Sequence, residues 1–250
     1  MRRAWLMSLG LAPALALAAA DADALVQQAL AAEARFDTSA ALVLFQQADA
    51  LRPNDAVILQ KISREYSDST ADTPDVAEKR RRCTEALAYA RRAAALQPHN
   101  AVNVLSLAIC YGKLGLYSDT RTKIEYSRLV KQYAEEALAL DPDYDYAHHV
   151  LGRWNYEVAS LGLGTRLLVR VIYGGLPDAS TAEAVRQLRR ATELSPRLPA
   201  HRVELGFALL ADGQRAAARQ AFEQALAMPK VEKYDEEARH RARAALERLR

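Results

Sequence analysis

Several side chains in the sequence are of the types that hold metal ions. The five histidines include the adjacent pair His148-His149. Neighbouring residues on a helix point about 100° apart, so this pair makes a poor joint set of ligands for one ion. Asp141, Asp143 and Asp145 resemble the start of a calcium-binding loop, but the twelfth position of such a loop is Gly152 rather than glutamate. We therefore expect no metal site and interpret these aspartates as helix caps.

The sequence contains no motif for catalysis or cofactor binding. It has no HExxH helix, no nucleophile elbow and no glycine-rich loop that could cradle a phosphate. The two cysteines, Cys83 and Cys110, could form a disulfide bond in an oxidising compartment, but their positions do not show that they meet. We expect two free, mostly buried thiols, no catalytic residues and no cofactor.

The elements that must position any functional residue are predicted to be helices almost throughout. Half of the 250 residues are hydrophobic, and there are only 10 glycines and 9 prolines. Alanine, the strongest helix former, dominates the hydrophobic fraction, and its small side chain lets helices approach closely. The formal net charge is +3, with acidic and basic residues mixed along the chain. This distribution does not fit a nucleic-acid-binding surface.

A short phrase that ends in proline recurs along the chain. Proline cannot continue a helix and also restricts the residue before it, so each copy predicts a helix end. Asn54-Asp55, Asn100, and Asp143 or Asp145 then follow as predicted N-caps. Only the last interval between copies is near the ~34-residue period of a tetratricopeptide repeat, or TPR. The five copies are Ala50-Leu51-Arg52-Pro53, Ala95-Leu96-Gln97-Pro98, Ala139-Leu140-Asp141-Pro142, Glu193-Leu194-Ser195-Pro196 and Ala227-Met228-Pro229.

The residues before each proline also follow the TPR pattern. In that pattern, small residues lie where the two helices of a unit touch, and large residues fill the gaps between them. We therefore predict an all-α fold over residues 21–250, a right-handed α-solenoid of about five TPR-like helix pairs with insertions and a C-terminal capping helix. The second-helix positions that fit are Ala41, Phe45, Ala48, Ala86, Ala90, Ala93, Val130, Ala134, Ala137, Ala184, Leu188, Ala191, Ala218, Phe222 and Ala225.

Residues 1–20 have the pattern of a cleavable export signal. Arg2 and Arg3 precede an uncharged apolar stretch from Ala4 to Ala18, and Ala18-Ala19-Ala20 offers a small-residue cleavage site. The stretch is too short to span a bilayer. We expect an exported protein, located in the periplasm if the source is a Gram-negative bacterium.

Three segments carry a resemblance to a known family. They are the stretch from Ala147 to Ala159, Pro177-Asp178-Ala179-Ser180-Thr181, and Ala227-Met228-Pro229 followed by Asp235-Glu236-Glu237. With them the chain resembles the regulators of microtubule dynamics, a family of TPR-like proteins, over roughly residues 25–250 and most sharply from 147 to 230. The resemblance implies a TPR-like domain with long first repeats. Eukaryotic members are linked to microtubules, and some tether organelle membranes and hold phospholipid in the TPR domain.

Two features depart from the eukaryotic pattern. The sequence does not match the N-terminal membrane anchor of those members and has the predicted export signal instead. We therefore do not expect a microtubule role, and the properties that transfer are binding of a peptide, a protein or a lipid.

In TPR units, the exposed positions of each first helix line a concave groove. Here those positions are mostly aliphatic and aromatic, which fits an amphipathic ligand with an anionic end near Arg64 or Arg153. The alternative is that insertions fold over the groove and these residues are ordinary core. The predicted groove residues are Arg64, Val102, Leu105, Ile109, Tyr146, His149, Arg153, Tyr156, Val203, Phe207 and Leu210.

The insertion from Gly162 to Gly175 has its own helical pattern. Leu163, Leu167, Val171 and Ile172 make one apolar face, with Arg166 and Arg170 on another side. It is either a short helix that covers the solenoid or a lid or membrane-touching element.

Two functional hypotheses follow from the sequence. The first is a non-enzymatic scaffold that binds a peptide or partner protein in the groove. The alternative is a phospholipid- or fatty-acid-binding module that uses the same groove.

Overall fold

The structure, a computed structural model, describes the secondary structure of residues 11–249 and the side chains of residues 21–249. This part of the chain contains twelve α-helices, one short 3-10 turn and no strand. The helices are α1 (Leu11–Glu33), α2 (Thr38–Leu51), α3 (Ala56–Asp68), α4 (Val76–Leu96), α5 (Ala101–Gly115), α6 (Thr120–Leu140), α7 (Asp145–Ala159), α8 (Leu163–Tyr173), α9 (Thr181–Leu194), α10 (Pro199–Ala211), α11 (Arg215–Ala227) and α12 (Asp235–Arg248).

The helices form the predicted α-solenoid. They pack as five antiparallel pairs, α1–α2, α3–α4, α5–α6, α7–α9 and α10–α11, and the second helix of each pair contacts the first helix of the next. The first helices α3, α5, α7 and α10 also contact one another in chain order. We call the surface that they form the inner face. Helix α12 packs on α10 and α11 and closes the end of the stack.

The proline phrases end helices as the sequence predicts. The second helix of each pair ends two residues before its proline, at Leu51, Leu96, Leu140, Leu194 and Ala227. Asp55 and Asn100 cap α3 and α5, because their side-chain oxygens accept hydrogen bonds from the first backbone amides. The prediction for α7 was wrong. Asp145 is its first residue and Tyr144 stands at the cap without a side-chain hydrogen bond.

Close contact between paired helices depends on small residues at two matching places. A Cβ atom on Gly206 would lie 2.4 Å from the ring of Phe222, and one on Gly152 would lie 2.6 Å from Leu188. The second-helix residues that fit the TPR pattern are all buried. Each pair therefore depends on its neighbours to cover its apolar stripe.

Cys83 and Cys110 are both free and buried in one apolar cluster. Burial raises the pKa of the Cys110 thiol to about 11, so this thiol is held in its unreactive protonated form.

The predicted export signal lies on residues 1–20, of which residues 1–10 fall outside the described part of the chain. Helix α1 runs from Leu11 through the expected cleavage position to Glu33. None of the helices described is both long enough and apolar enough to cross a bilayer.

Candidate functional site: the inner face and the strap that covers it

The predicted groove residues do not form one open apolar channel. Leu105 and Val203 are completely buried, so for these two the prediction of groove exposure is corrected. Both point into the packing between helices, where an aliphatic side chain is most stable. Arg64, Val102 and Arg153 are exposed. The remaining six are partly buried, namely Ile109, Tyr146, His149, Tyr156, Phe207 and Leu210.

The link from α11 to α12, residues 228–234, crosses the inner face and reaches the first two helix pairs. We call it the strap. Inside the strap, the Glu232 carboxylate accepts a hydrogen bond from the hydroxyl of Tyr146 and lies 3.7 Å from the Arg64 guanidinium. Burial and the negative charge of Glu232 raise the pKa of Tyr146, so the phenol stays protonated and remains a donor.

Tyr234 fixes the end of the strap against α3 and α5. Its hydroxyl lies 2.9 Å from the carbonyl oxygen of Asp68 and accepts a hydrogen bond of 3.0 Å from Lys113 Nζ. The same ammonium group donates to the Ser67 carbonyl oxygen at 2.8 Å. These bonds satisfy the polar groups that the strap buries, which is the condition for burying them at low cost.

Two lysines join the strap to the first helix pair and to the turn after α3. Lys233 Nζ donates to Thr38 Oγ1 at 2.6 Å and to Asp72 at 2.8 Å. Lys230 Nζ lies 4.5 Å from the centre of the Phe36 ring, within the range of a cation–π contact. The strap therefore contacts the first four helix pairs.

A cavity of about 300 Å3 lies between the strap, α1 and α3. Its wall includes Glu65, which is almost fully buried, and Glu33, which forms a 2.7 Å ion pair with Lys61. Burial, a hydrogen bond with Glu33 and the charge of Asp68 raise the pKa of Glu65 to about 8. At neutral pH this carboxyl group is therefore mostly protonated.

Two histidines of the inner face form a hydrogen-bonded chain with Asp145. His149 Nδ1 lies 2.9 Å from His201 Nδ1, and His201 Nε2 lies 3.0 Å from Asp145 Oδ2. Burial and the neighbouring His201 lower the pKa of His149 to about 3. Ser195 bonds to the acid rather than to a histidine, so the order differs from a nucleophile–histidine–acid triad.

Farther along the inner face, Glu204 is buried and contacts three polar side chains. It accepts hydrogen bonds from Tyr156 at 2.5 Å and from Arg241 at 2.6 Å, and Arg153 lies 4.0 Å away. Burial works against the carboxylate, but the charges of Arg153 and Arg241 hold the pKa of Glu204 below its ordinary value. Arg153 also forms a 2.7 Å ion pair with Glu157.

The structure thus brings many predicted residues to one face and adds partners that the sequence did not reveal. Arg64, Tyr146, His149, Arg153 and Tyr156 all lie there, but each already contacts a polar group of this chain. Their partners come from distant segments and carry no motif. Within residues 21–249, no group of three or more histidine, cysteine or acidic side chains is placed to hold a metal ion. The residues that sequence reasoning missed are Asp145, His201, Glu204, Glu232, Tyr234 and Arg241.

Comparison with known structures shows the fold. The TPR protein TTC0263 of Thermus thermophilus aligns with a TM-score of 0.65 at 20% identity, covering 90% of this chain and 98% of that one. PilF of Pseudomonas aeruginosa aligns with a TM-score of 0.53 at 16% identity, covering 93% and 90%.

Comparison with known sequences shows the family. Regulator of microtubule dynamics protein 3 of Xenopus laevis is 29% identical over 180 residues, which are 72% of this chain and 39% of that protein. Regulator of microtubule dynamics protein 1 of Bos taurus is 29% identical over 143 residues, or 57% and 45%. The chain therefore spans less than half the length of these relatives. The family model for regulator of microtubule dynamics protein 1-3 matches residues 19–250, and the chain belongs to that family.

Proposed function

We propose that the chain is a non-enzymatic scaffold that binds a short peptide segment of a partner protein on its inner face. The observation that carries the proposal is the strap, because the chain's own residues 230–234 already occupy that face as a non-helical segment that ends in a turn. TPR-type solenoids present concave surfaces of this kind, and family membership fits a partner-binding role.

The strap contacts define what a competing peptide would need. Arg64 and Tyr146 bind a carboxylate. Lys113 and the α3 carbonyl groups form hydrogen bonds with a tyrosine hydroxyl. In the strap these two groups are Glu232 and Tyr234. A partner segment with an acidic residue two positions before a tyrosine would reproduce both contacts.

The test uses a labelled synthetic peptide with the sequence of residues 228–237 and measures binding by fluorescence polarisation. A tethered strap acts at an effective concentration in the millimolar range, so micromolar peptide competes poorly with it. The strap-weakened variant Glu232→Ala/Tyr234→Phe should bind the peptide at least ~10-fold tighter than the unaltered chain.

Arg64→Ala, added to the strap-weakened variant, should abolish that gain. A scrambled peptide should bind neither protein. If the strap-weakened protein keeps its helical circular dichroism and still binds no peptide, the inner face is not a peptide site and the proposal fails.

Carriage of a phospholipid or fatty acid in the groove has less support. That alternative depends on an apolar groove, whereas Leu105 and Val203 are core and the exposed arginines are paired with acids. Native mass spectrometry of protein isolated from its host, with organic extraction, tests it directly. A stoichiometric lipid that is lost in a Phe207→Glu variant would restore the alternative.

Export of the protein also remains a proposal. It rests on the pattern of residues 1–20 alone. Determining the N-terminal residue of protein isolated from its host would show whether cleavage follows Ala20.

A further inference from the structure

Helix α8 interrupts the fourth helix pair and packs only sparsely on the rest of the solenoid. Only Val169 among its residues is buried. Five of its aliphatic side chains face solvent, with Leu163 87% and Val171 75% exposed. The other three are Leu167, Leu168 and Ile172. The helix therefore does not cover the solenoid, and its apolar face is uncovered within the described part of the chain.

The exposed face has the geometry of an interfacial helix. At 3.6 residues per turn, Leu163, Leu167 and Val171 project close together, on the side opposite Val169. Arg166 and Arg170, one turn apart, lie at the border between that apolar face and the buried side. Long basic side chains at such a border extend toward a charged surface while their stems cover apolar area.

The C-terminal end of α8 is fixed by a glycine cap and by hydrogen bonds to α6. Gly174 adopts φ +77°, which ends the helix in a left-handed cap. The guanidinium group of Arg128 on α6 donates to the Gly175 carbonyl oxygen at 3.1 Å and 2.6 Å and also to the Tyr173 carbonyl oxygen. These hydrogen bonds tie the C-terminal end of α8 to α6.

The local charge selects the kind of surface that would cover this face. No acidic residue occurs between Glu157 and Asp178. Arg166 and Arg170 form no side-chain ion pair within residues 21–249. The helix therefore offers two free positive charges beside its apolar face, which complements a negative surface.

The side-chain types favour a bilayer over a protein partner. Protein interfaces are enriched in aromatic residues, whereas all five exposed apolar side chains of α8 are aliphatic. A strongly amphipathic helix with arginines at its border is the pattern of helices that lie in a membrane interface. We propose that α8 docks the protein onto an anionic lipid bilayer, with the five aliphatic side chains in the acyl boundary and Arg166 and Arg170 at the phosphates.

The test is flotation of the full chain with vesicles of phosphatidylglycerol and phosphatidylcholine, compared with phosphatidylcholine alone. The unaltered chain should float only with the anionic vesicles. Leu167→Glu/Val171→Glu should reduce the bound fraction at least ~10-fold, because it places charge in the acyl boundary. Arg166→Gln/Arg170→Gln should reduce it several-fold and flatten its salt dependence.

Leu116→Glu is the matched control, because Leu116 is also an exposed leucine, 65% accessible, outside α8. It should float like the unaltered chain. A polarity-sensitive thiol dye on Leu167→Cys should shift to the blue with anionic vesicles, whereas the same dye on Leu116→Cys should not. Cys83 and Cys110 are too buried to compete for the label.

Three outcomes would overturn the proposal. The unaltered chain could fail to float with anionic vesicles. It could float equally well when α8 carries the two glutamates, which would place membrane binding elsewhere, such as residues 1–20. Sedimentation could also show a dimer that dissociates in the Leu167→Glu/Val171→Glu variant, which would make a second copy of the chain the occupant of this face.

Discussion

The inner face is covered by other parts of the chain, whereas helix α8 is exposed to solvent. The inner face carries several charged groups, and the chain itself pairs them through the strap and through Arg241. Helix α8 is apolar and exposed, and its arginines are unpaired within residues 21–249. A buried charge is costly unless its partner is built in, whereas an apolar face can stay exposed until an external surface covers it. The inner face is therefore covered when the chain folds. We propose that the apolar face of α8 is covered only when the protein docks on a membrane.

The largest effect is expected where the inner face buries a charge. Glu204→Ala should lower the free energy of unfolding by about 3 kcal/mol, because it leaves Arg241 and Arg153 without their buried partner. Glu157→Ala is the control, since Glu157 is exposed and pairs with the same Arg153, and it should cost under ~0.5 kcal/mol. Urea denaturation measures both. Equal losses would show that burial of Glu204 carries no special weight.

The next effect depends on pH and concerns Glu65. Its pKa is about 8 in the folded chain and 4.5 as an ordinary value, so the folded state binds the proton more tightly. The contribution of Glu65 to the free energy of unfolding should therefore be greatest below pH 4.5 and should fall as the pH rises to about 8. Glu65→Gln should remove that slope and raise the free energy of unfolding by about 2 kcal/mol above pH 8.

Denaturant unfolding measured across this pH range checks the prediction. Glu236→Gln, at an exposed position of α12, should leave the slope unchanged. An identical slope in the Glu65→Gln variant would mean that this carboxyl group is ionised in the folded chain.

A smaller loss is expected at the strap. Tyr234→Phe removes the hydroxyl that contacts Lys113 and the α3 carbonyl groups, and should cost about 1 kcal/mol. Trypsin cleavage after Lys230 and Lys233 should become faster, because the strap opens more often. Unchanged cleavage would indicate that these hydrogen bonds do not hold the strap in place.

The smallest effect is expected on α8. Leu167→Ser should change the free energy of unfolding by less than ~0.5 kcal/mol, since the side chain touches solvent in the free protein. Val169→Ser, at the one buried position of the helix, should cost more than that. If both changes were equally harmless, α8 would not be docked on the solenoid at all.

The fold was predictable because its signals are local. The proline phrases fix helix ends, and residues such as Ala90, Phe222 and Ala225 fix the packed faces through short spacings. The helical pattern of residues 162–175 and the capping helix α12 were predicted from the same signals and are confirmed. The interpretation of α8 as a cover for the solenoid was wrong, because its apolar side chains face solvent.

The inner face was only partly predictable. Arg64 and Tyr146 could be placed on it from helix periodicity, but their partner Glu232 lies far along the chain. Leu105 and Val203 were misplaced, because a residue near the edge of a helical face can point into the neighbouring pair instead of the groove. Single-sequence patterns report the direction of a side chain along its own helix and do not report which distant segment meets it.

The strap also changes how the stack can come apart. In an open array of repeats each unit touches only its neighbours, so the ends can fray independently. Here the hydroxyl of Tyr234 bonds to carbonyl groups 166 and 167 positions away, which ties the last helix pair to the second. Loosening either end would break contacts at the other, so we expect the array to unfold as one cooperative unit. Because so large a loop must close before these bonds form, we expect the strap to dock last during folding.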